Sequence, residues 1–287
     1  MARGYRVPPG MTVPADTEFN RSMAKPPAPS PKDRQFVTAL ARGLAILRCF
    51  DAQHNTLGAS DIARMTGLPQ PTVWRLCHTL LQEGYLVQSE RHEKLRPGIP
   101  ILNLGYSAIM TTPIAELAYE AMNTLAKKHQ GAVSLGTADG TNILYMQRCQ
   151  GSEIILRDLA AGSRVPMLLS AAGWGYLAGL DATRRKAALK ACKQALPQQY
   201  RQVAGRLEQA LADFSRQGYI VSRGVLHPQI NAVGVPVVSD DGQTVLGLSA
   251  GGIDAVFDSK RLKSAAADLL ALAQELRLKL SAQHNLL

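Results

Sequence analysis

The sequence predicts an α+β protein in two parts: a small helical unit with a β-hairpin near the N-terminus, and a larger domain built on an antiparallel sheet. Three observations predict it. Apolar residues recur three and four apart between Phe36 and Leu81, the period of helices that bury one face. Tyr85-Leu86-Val87 is answered across a polar stretch by Leu95-Arg96, which reads as two short strands and a turn. Beyond residue 130, strand-like runs stand in two groups on either side of three helical stretches, the pattern of a mixed domain.

Residues 1–33 come first and are expected to form a disordered basic arm. They hold Pro8, Pro9, Pro14, Pro26, Pro27, Pro29 and Pro31, few large apolar residues, and neither a helix nor a strand period. Arg3, Arg6, Arg21, Lys25 and Arg34 are able to touch DNA phosphates, although a solvated tail is the plainer reading. Met11 and Met23 leave room for a later translation start.

The next unit spans 34–98. Val37, Leu40, Leu44, Leu47 and Phe50 give a first helix one apolar face, and Asn55 and Gly58 break it. Ser60 then stands as an expected N-cap ahead of Asp61, Ile62, Ala63 and Met65. Thr66-Gly67-Leu68 makes a tight turn. A third helix is predicted over 70–81, with Pro71 in the first turn, where its missing amide costs nothing, and with Val73, Leu76, Leu80 and Leu81 inward. It ends at Gly84. A wing follows, its charged tip running from Gln88 to Lys94. Together these elements make a winged helix-turn-helix.

Such a unit reads double-stranded DNA because an α-helix fits the major groove, where each base pair shows its own donor and acceptor pattern. With one face anchored, the outward residues Gln70, Thr72, Arg75, His78 and Thr79 are the candidates for base and phosphate contact. Trp74 is large for an exposed position and fits packing beside the wing, or along sugar and phosphate, better than base reading. Arg91, Lys94 and Arg96 are the candidate phosphate contacts of the wing. The net charge of +10 agrees with a nucleic-acid partner, but residues 1–35 and 36–97 together hold only half of the excess. Charge alone does not decide the matter.

Residues 99–129 are expected to be linker helices, interrupted at Thr111-Thr112-Pro113. Residues 130–287 form the second domain. Strands are predicted over 132–137, 142–148 and 154–157, with Asp139-Gly140 turning between the first two. Helices follow over 170–180, 181–193 and 199–217. Strands over 219–222, 230–238 and 245–251 come next, Asp240-Asp241-Gly242 turning between the last two, and a helix over 259–283 closes the chain. Ser170 caps a helix whose first turn is made of small residues, so its open amides are able to hold a carboxylate. Close packing of that helix on the sheet explains the small residues equally well.

Taken together, Ala39-Leu40-Ala41-Arg42-Gly43-Leu44-Ala45-Ile46-Leu47, Ser60-Asp61-Ile62-Ala63, Thr72-Val73-Trp74-Arg75-Leu76 and Glu83-Gly84-Tyr85 resemble the isocitrate lyase regulator (IclR) family of bacterial transcription factors. In the second half Gly162-Ser163-Arg164-Val165-Pro166, Ser170-Ala171-Ala172-Gly173, Gly218-Tyr219 and Asn231-Ala232-Val233-Gly234-Val235-Pro236-Val237 continue the likeness, which covers about 36–285. Asp33-Arg34-Gln35-Phe36-Val37 is similar to the branch regulating aromatic acid catabolism. The resemblance implies a GAF-like effector domain, a homodimer or dimer of dimers, a palindromic operator, and a small organic acid, often aromatic, as effector. It places pocket positions at Ala171, Ala172, Ser222, Pro228, Ile230, Ala232 and Ser249, beside Ser170. Where relatives often carry an acidic residue this chain has Ser222-Arg223, followed by Val225-Leu226-His227-Pro228, so Arg223 or His227 is a candidate partner for a carboxylate.

Other classes fit less well. Ser170, His227 and Asp254 supply the residue types of a hydrolase, but no GxSxG elbow holds them, so the chain is not expected to be an enzyme. Cys49, Cys77, Cys149 and Cys192 are widely spaced, with no CxxC pair or His cluster, so reduced thiols are expected and neither a metal nor a cofactor. With no apolar run near the roughly 20 residues of a membrane span and no secretory leader, a cytoplasmic location is expected, without a membrane partner. A DNA-binding architectural protein that ignores ligands is the alternative function, since wing and arm would suffice for it.

Overall fold

The computed structural model of the chain describes residues 35–51, 54–89, 94–110, 114–151 and 159–284. The proposed arm over 1–33, Arg34, Arg91, the break at 111–113 and the strand expected over 154–157 lie outside them.

The first unit contains α1 (Thr38–Leu47), α2 (Ala59–Thr66), α3 (Gln70–Gln82) and a hairpin of β1 (Leu86–Gln88) and β2 (Leu95–Pro97). Its core gathers Ile46, Cys49, Leu57, Ile62, Val73, Cys77, Leu86 and Leu95. Two local expectations change. The apolar stripe of α1 is only half used: Leu47 and Phe50 pack on the core, while Val37, Leu40 and Leu44 stay exposed at 61%, 62% and 46%. Only the C-terminal end of α1, through Ile46 and the adjoining Cys49, enters the core. The cap of α2 is Gly58, not Ser60: Asp61, at the third helical position, reaches back to accept from the Gly58 amide at 3.3 Å. The carboxylate satisfies the N-cap's own amide, the half of a capping box that the third helical residue supplies. Gly67, at φ 68°, ends α2 in the left-handed region and turns the chain into α3. Leu57 pairs with Leu95 through two backbone hydrogen bonds of 2.9 and 2.8 Å. The residue before α2 is thus tied to the wing, a long-range pairing that one residue cannot announce in sequence.

Two helices, α4 (Ile99–Met110) and α5 (Ile114–His129), lead to the second domain. Its sheet runs in the order β5-β4-β3-β8-β7-β6, antiparallel throughout. The strands are β3 (Ala132–Asp139), β4 (Asn142–Gln150), β5 (Arg164–Pro166), β6 (Ile220–Arg223), β7 (Ile230–Val238) and β8 (Val245–Ile253). Among the described strands, the short edge strand β5 was not expected.

Between β5 and β6 the chain makes α6 (Ala171–Gly179), α7 (Ala182–Ala195) and α8 (Pro197–Gln217), and α9 (Ser259–His284) follows β8. Alternation along the strands sorts the sheet into two faces. Val133 and Leu135 of β3, Val233, Val235 and Val237 of β7, and Leu246, Leu248 and Ala250 of β8 meet α5 and α9 in one core. Ile143, Val165, Ile220 and Val245 meet α6, α7 and α8 in the other. The result is three layers with the sheet in the middle.

Helix α6 lies very close to the sheet. A Cβ on Gly234 would stand 2.1 Å from the Ala171 carbonyl oxygen, and one on Gly247 would stand 2.0 Å from that of Ala172. Glycines in neighbouring strands are what let the first turn of α6 settle there. At its other end, the Arg185 guanidinium donates to the carbonyls of Leu177, Ala178 and Leu180.

Candidate functional site

Two surfaces answer the expectations. The first is the outer face of α3. Val73 and Cys77 are buried and fix the helix to its unit, with Leu76, Leu80 and Leu81 half-buried around them. Gln70, Arg75, His78 and Thr79 are exposed on the far side and Thr72 is half-buried at the flank. The Thr79 hydroxyl donates back to the Arg75 carbonyl at 3.2 Å. Trp74 is 62% exposed. Lys94 and Arg96 are exposed on the wing, and among the described residues neither they nor Arg75 enters an ion pair.

The second surface is a cavity on the α6 side of the sheet. Antiparallel register lines up its floor in two rows. One row runs from Arg148 on β4 through Ser134 on β3 to Ser249 on β8, and ends at Gly234 of β7 under α6. The next runs from Ala132 through Gly251 and Ala232 to Ser222 on β6. Ser170 and Ala171 form the roof at the start of α6, and Tyr145, Leu159, Leu226, Ile230 and Gly252 complete the walls. The empty space, open mouth included, is about 560 Å³. The enclosed part of it is about 50 Å³, so the cavity is a small cleft that widens at its mouth.

Of the residues singled out from sequence, Ser170, Ala171, Ser222, Ile230, Ala232 and Ser249 meet in this cavity. Ala172, Arg223, His227 and Pro228 are not part of its lining. Ala172 is fully buried against β8. Strand alternation puts Ser222 inside and turns Arg223 out, where it is exposed and donates to Ser259 Oγ at 3.0 Å. His227 Nδ1 accepts from the Gln229 amide at 3.3 Å, and Pro228 is exposed. Ser170 Oγ accepts from the Gly173 amide at 3.1 Å, so one of the first-turn donors of α6 is already satisfied. Asp254 Oδ1 accepts from the Ala255 amide, and no hydrogen bond joins Ser170, His227 and Asp254 among the described residues.

Sequence reasoning missed Tyr145 and Arg148, and strand geometry explains why. In a regular strand these two would face opposite sides. A register shift opposite Leu135 and Gly136 leaves Met146 unpaired, and this bulge turns both side chains to the same face. Arg148 donates to Ser134 Oγ at 2.8 Å, and its guanidinium carbon lies 5.8 Å from the centre of the Tyr145 ring. Burial lowers the Arg148 pKa, while Tyr145 and Cys149 work in the opposite direction. Burial likewise raises that of Tyr145, partly offset by Arg148 and by its hydrogen bond with Ser134.

All four cysteines are free and buried. Burial pushes the thiols of Cys49, Cys77 and Cys192 up to about 11. Among the described residues no cluster of His, Cys, Asp or Glu is able to hold a metal, and no helix is long and apolar enough to cross a membrane.

A winged helix-turn-helix joined through helices to a sheet domain with its own cavity defines a class of two-domain DNA-binding regulators. Comparison with known proteins narrows the class. The IclR helix-turn-helix domain matches residues 39–90, and the domain described as bacterial transcriptional regulator IclR C-terminal matches residues 106–278. The HTH-type transcriptional regulator TsaQ1/TsaQ2 of Comamonas testosteroni is 30% identical over 204 residues, 70% of this chain and 73% of that protein. The Pca regulon regulatory protein of Pseudomonas putida is 29% identical over 219 residues, 76% and 75% of the two chains. An IclR family transcriptional regulator from Brucella abortus superposes with a TM-score of 0.77 at 34% identity, covering 91% of this chain and 97% of its own. The chain belongs to the IclR family of bacterial transcriptional regulators.

Proposed function

We propose that the protein regulates transcription in response to a small organic acid, of aromatic type, that binds in the cavity of the second domain and alters either operator binding or activation. The observation that carries this reading is the cavity itself: the buried hydroxyls of Ser134, Ser170, Ser222 and Ser249 and the half-buried Arg148 cation gather around one cleft, well apart in sequence from α3. In this reading 34–98 is the DNA-binding domain, 99–129 the linker and 130–287 the effector domain, with 1–33 a basic arm. An IclR homolog from Microbacterium hydrocarbonoxydans, solved in complex with 4-hydroxybenzoate, shares the fold at 21% identity and a TM-score of 0.63, covering 84% of this chain and 100% of its own. That precedent supports an aromatic acid as the first class to test.

The working form is a homodimer, alone or paired into a tetramer, on a palindromic operator in the cytoplasm. Helix α4 supports this: it carries no charged residue, and Ile99, Leu102 and Leu104 are exposed at 81%, 73% and 56%. These residues, and separately Val37, Leu40 and Leu44 of α1, are exposed apolar groups that a second copy would cover. Fluorescence anisotropy on the protein's own promoter region, with and without aromatic acids, tests the function. A shift in affinity or in transcription with one acid supports it. Equal affinity for operator and random DNA, indifferent to every acid, favours the architectural alternative.

A further inference from the structure

We infer that Arg148 is the residue that reads the acid group of the effector, and that the effector is a flat anion lying across strands β4, β3, β8 and β7. This rests on the effector reading above and adds to it the atom that selects for charge.

A guanidinium offers five N–H donors and stays charged even when burial lowers its pKa. Here one donor is taken by Ser134, the Tyr145 ring flanks the group, and the buried Nε has no acceptor among the described residues. Among those residues no carboxylate pairs with it. A cation held on a cavity wall without a counter-ion is costly unless an anion arrives to complete it. The α6 N-terminus is the weaker anchor, because Ser170 already accepts from Gly173 and a helix end carries only a partial charge.

The floor beside Arg148 specifies the rest of the ligand. Ala132, Gly251 and Ala232 stand side by side on three neighbouring strands and present no side chain beyond Cβ. With strands about 4.8 Å apart, that row spans about 10 Å of flat apolar surface. A planar ring fits such a floor better than a bulky or branched body.

The test uses full-length protein as wild type, Arg148→Lys and Arg148→Met. Each is titrated calorimetrically with benzoate, 4-hydroxybenzoate, phenylacetate and adipate, each beside its neutral amide, while the arginine Nε–H resonances are followed by NMR. At least one ring acid is expected to bind wild type about tenfold or more tightly than its amide. Arg148→Met should bring acid and amide to the same affinity, and Arg148→Lys should keep part of the preference. The Nε–H signal lost in both variants should move in wild type with the acid and not with the amide. Because that signal is read in wild type, the assignment stands or falls even if Arg148→Met does not fold. An acid preference that survives Arg148→Met, or an unmoved signal with bound acid, overturns the assignment while leaving the acid effector in place. Tighter binding of adipate than of every ring acid overturns the flat ligand. If no carboxylate binds wild type at all, the effector reading fails and this inference with it.

Discussion

Arg75 stands exposed on the outward face of α3, with Val73 and Cys77 holding the helix behind it. Its guanidinium is free to meet a guanine edge or a phosphate, so Arg75→Ala should weaken operator binding about tenfold. In the proposed reading Lys94 and Arg96 contact the DNA backbone instead. Replacing either with Ala should reduce the salt slope of log affinity by about one and weaken specific and random DNA alike. Anisotropy titrations between low and moderate salt separate the two behaviours; unchanged affinity for Arg75→Ala would contradict its role. The outward residues of α3 were legible in sequence because a helix period sorts inside from outside without knowledge of any partner. Arg148 was not, because a single unpaired residue at Met146 reverses the parity on which strand reading depends.

At the scale of elements, the seating of α6 on the sheet controls the roof of the cavity. Gly247→Ala would press a methyl group into the Ala172 carbonyl, a backbone atom with little room to yield. A loss of stability at the upper end of about 1–3 kcal/mol is expected for such overpacking, with weaker binding of any cavity ligand. Thermal unfolding and calorimetry measure the two effects.

Helices α5 and α9 are fastened together by Asp268, which accepts from Lys128 Nζ at 3.0 Å and lies 2.6 Å from the buried Nε2 of His129. Burial raises the Asp268 pKa, but hydrogen bonds from Lys128 and His129 outweigh it, so the net shift is downward. A carboxyl whose folded pKa lies below its unfolded value stabilises the fold above about pH 4 and loses that contribution as pH falls through the folded value. Denaturant midpoints from pH 6 to pH 2 should therefore fall less steeply in Asp268→Asn than in wild type; identical acid limbs would contradict the clamp. The long strands β3, β7 and β8 and the helices were legible because each repeats its period over many residues. The Leu57 bridge and strand β5 were too short to leave one.

For the whole molecule, the unused half of the α1 stripe points outward from the chain. The sequence shows that Val37, Leu40 and Leu44 share a face but not what covers it, and among the described residues nothing does. If a second copy covers it, Leu44→Glu should shift the protein toward monomer in analytical ultracentrifugation and lower operator affinity, because two half-sites would no longer be bound together. An unchanged dimer would place the interface elsewhere.

In the proposed reading the cavity and α3 are two ends of one device. Linkage makes it measurable: if the acid changes operator affinity by some factor, the operator must change acid affinity by the same factor. Calorimetric titration of the acid into free protein and into the protein–operator complex tests this directly. Acid affinities are expected to differ by the factor found in DNA binding, within the 5- to 150-fold range usual for such coupling. Equal acid affinity with and without operator would contradict control through operator affinity.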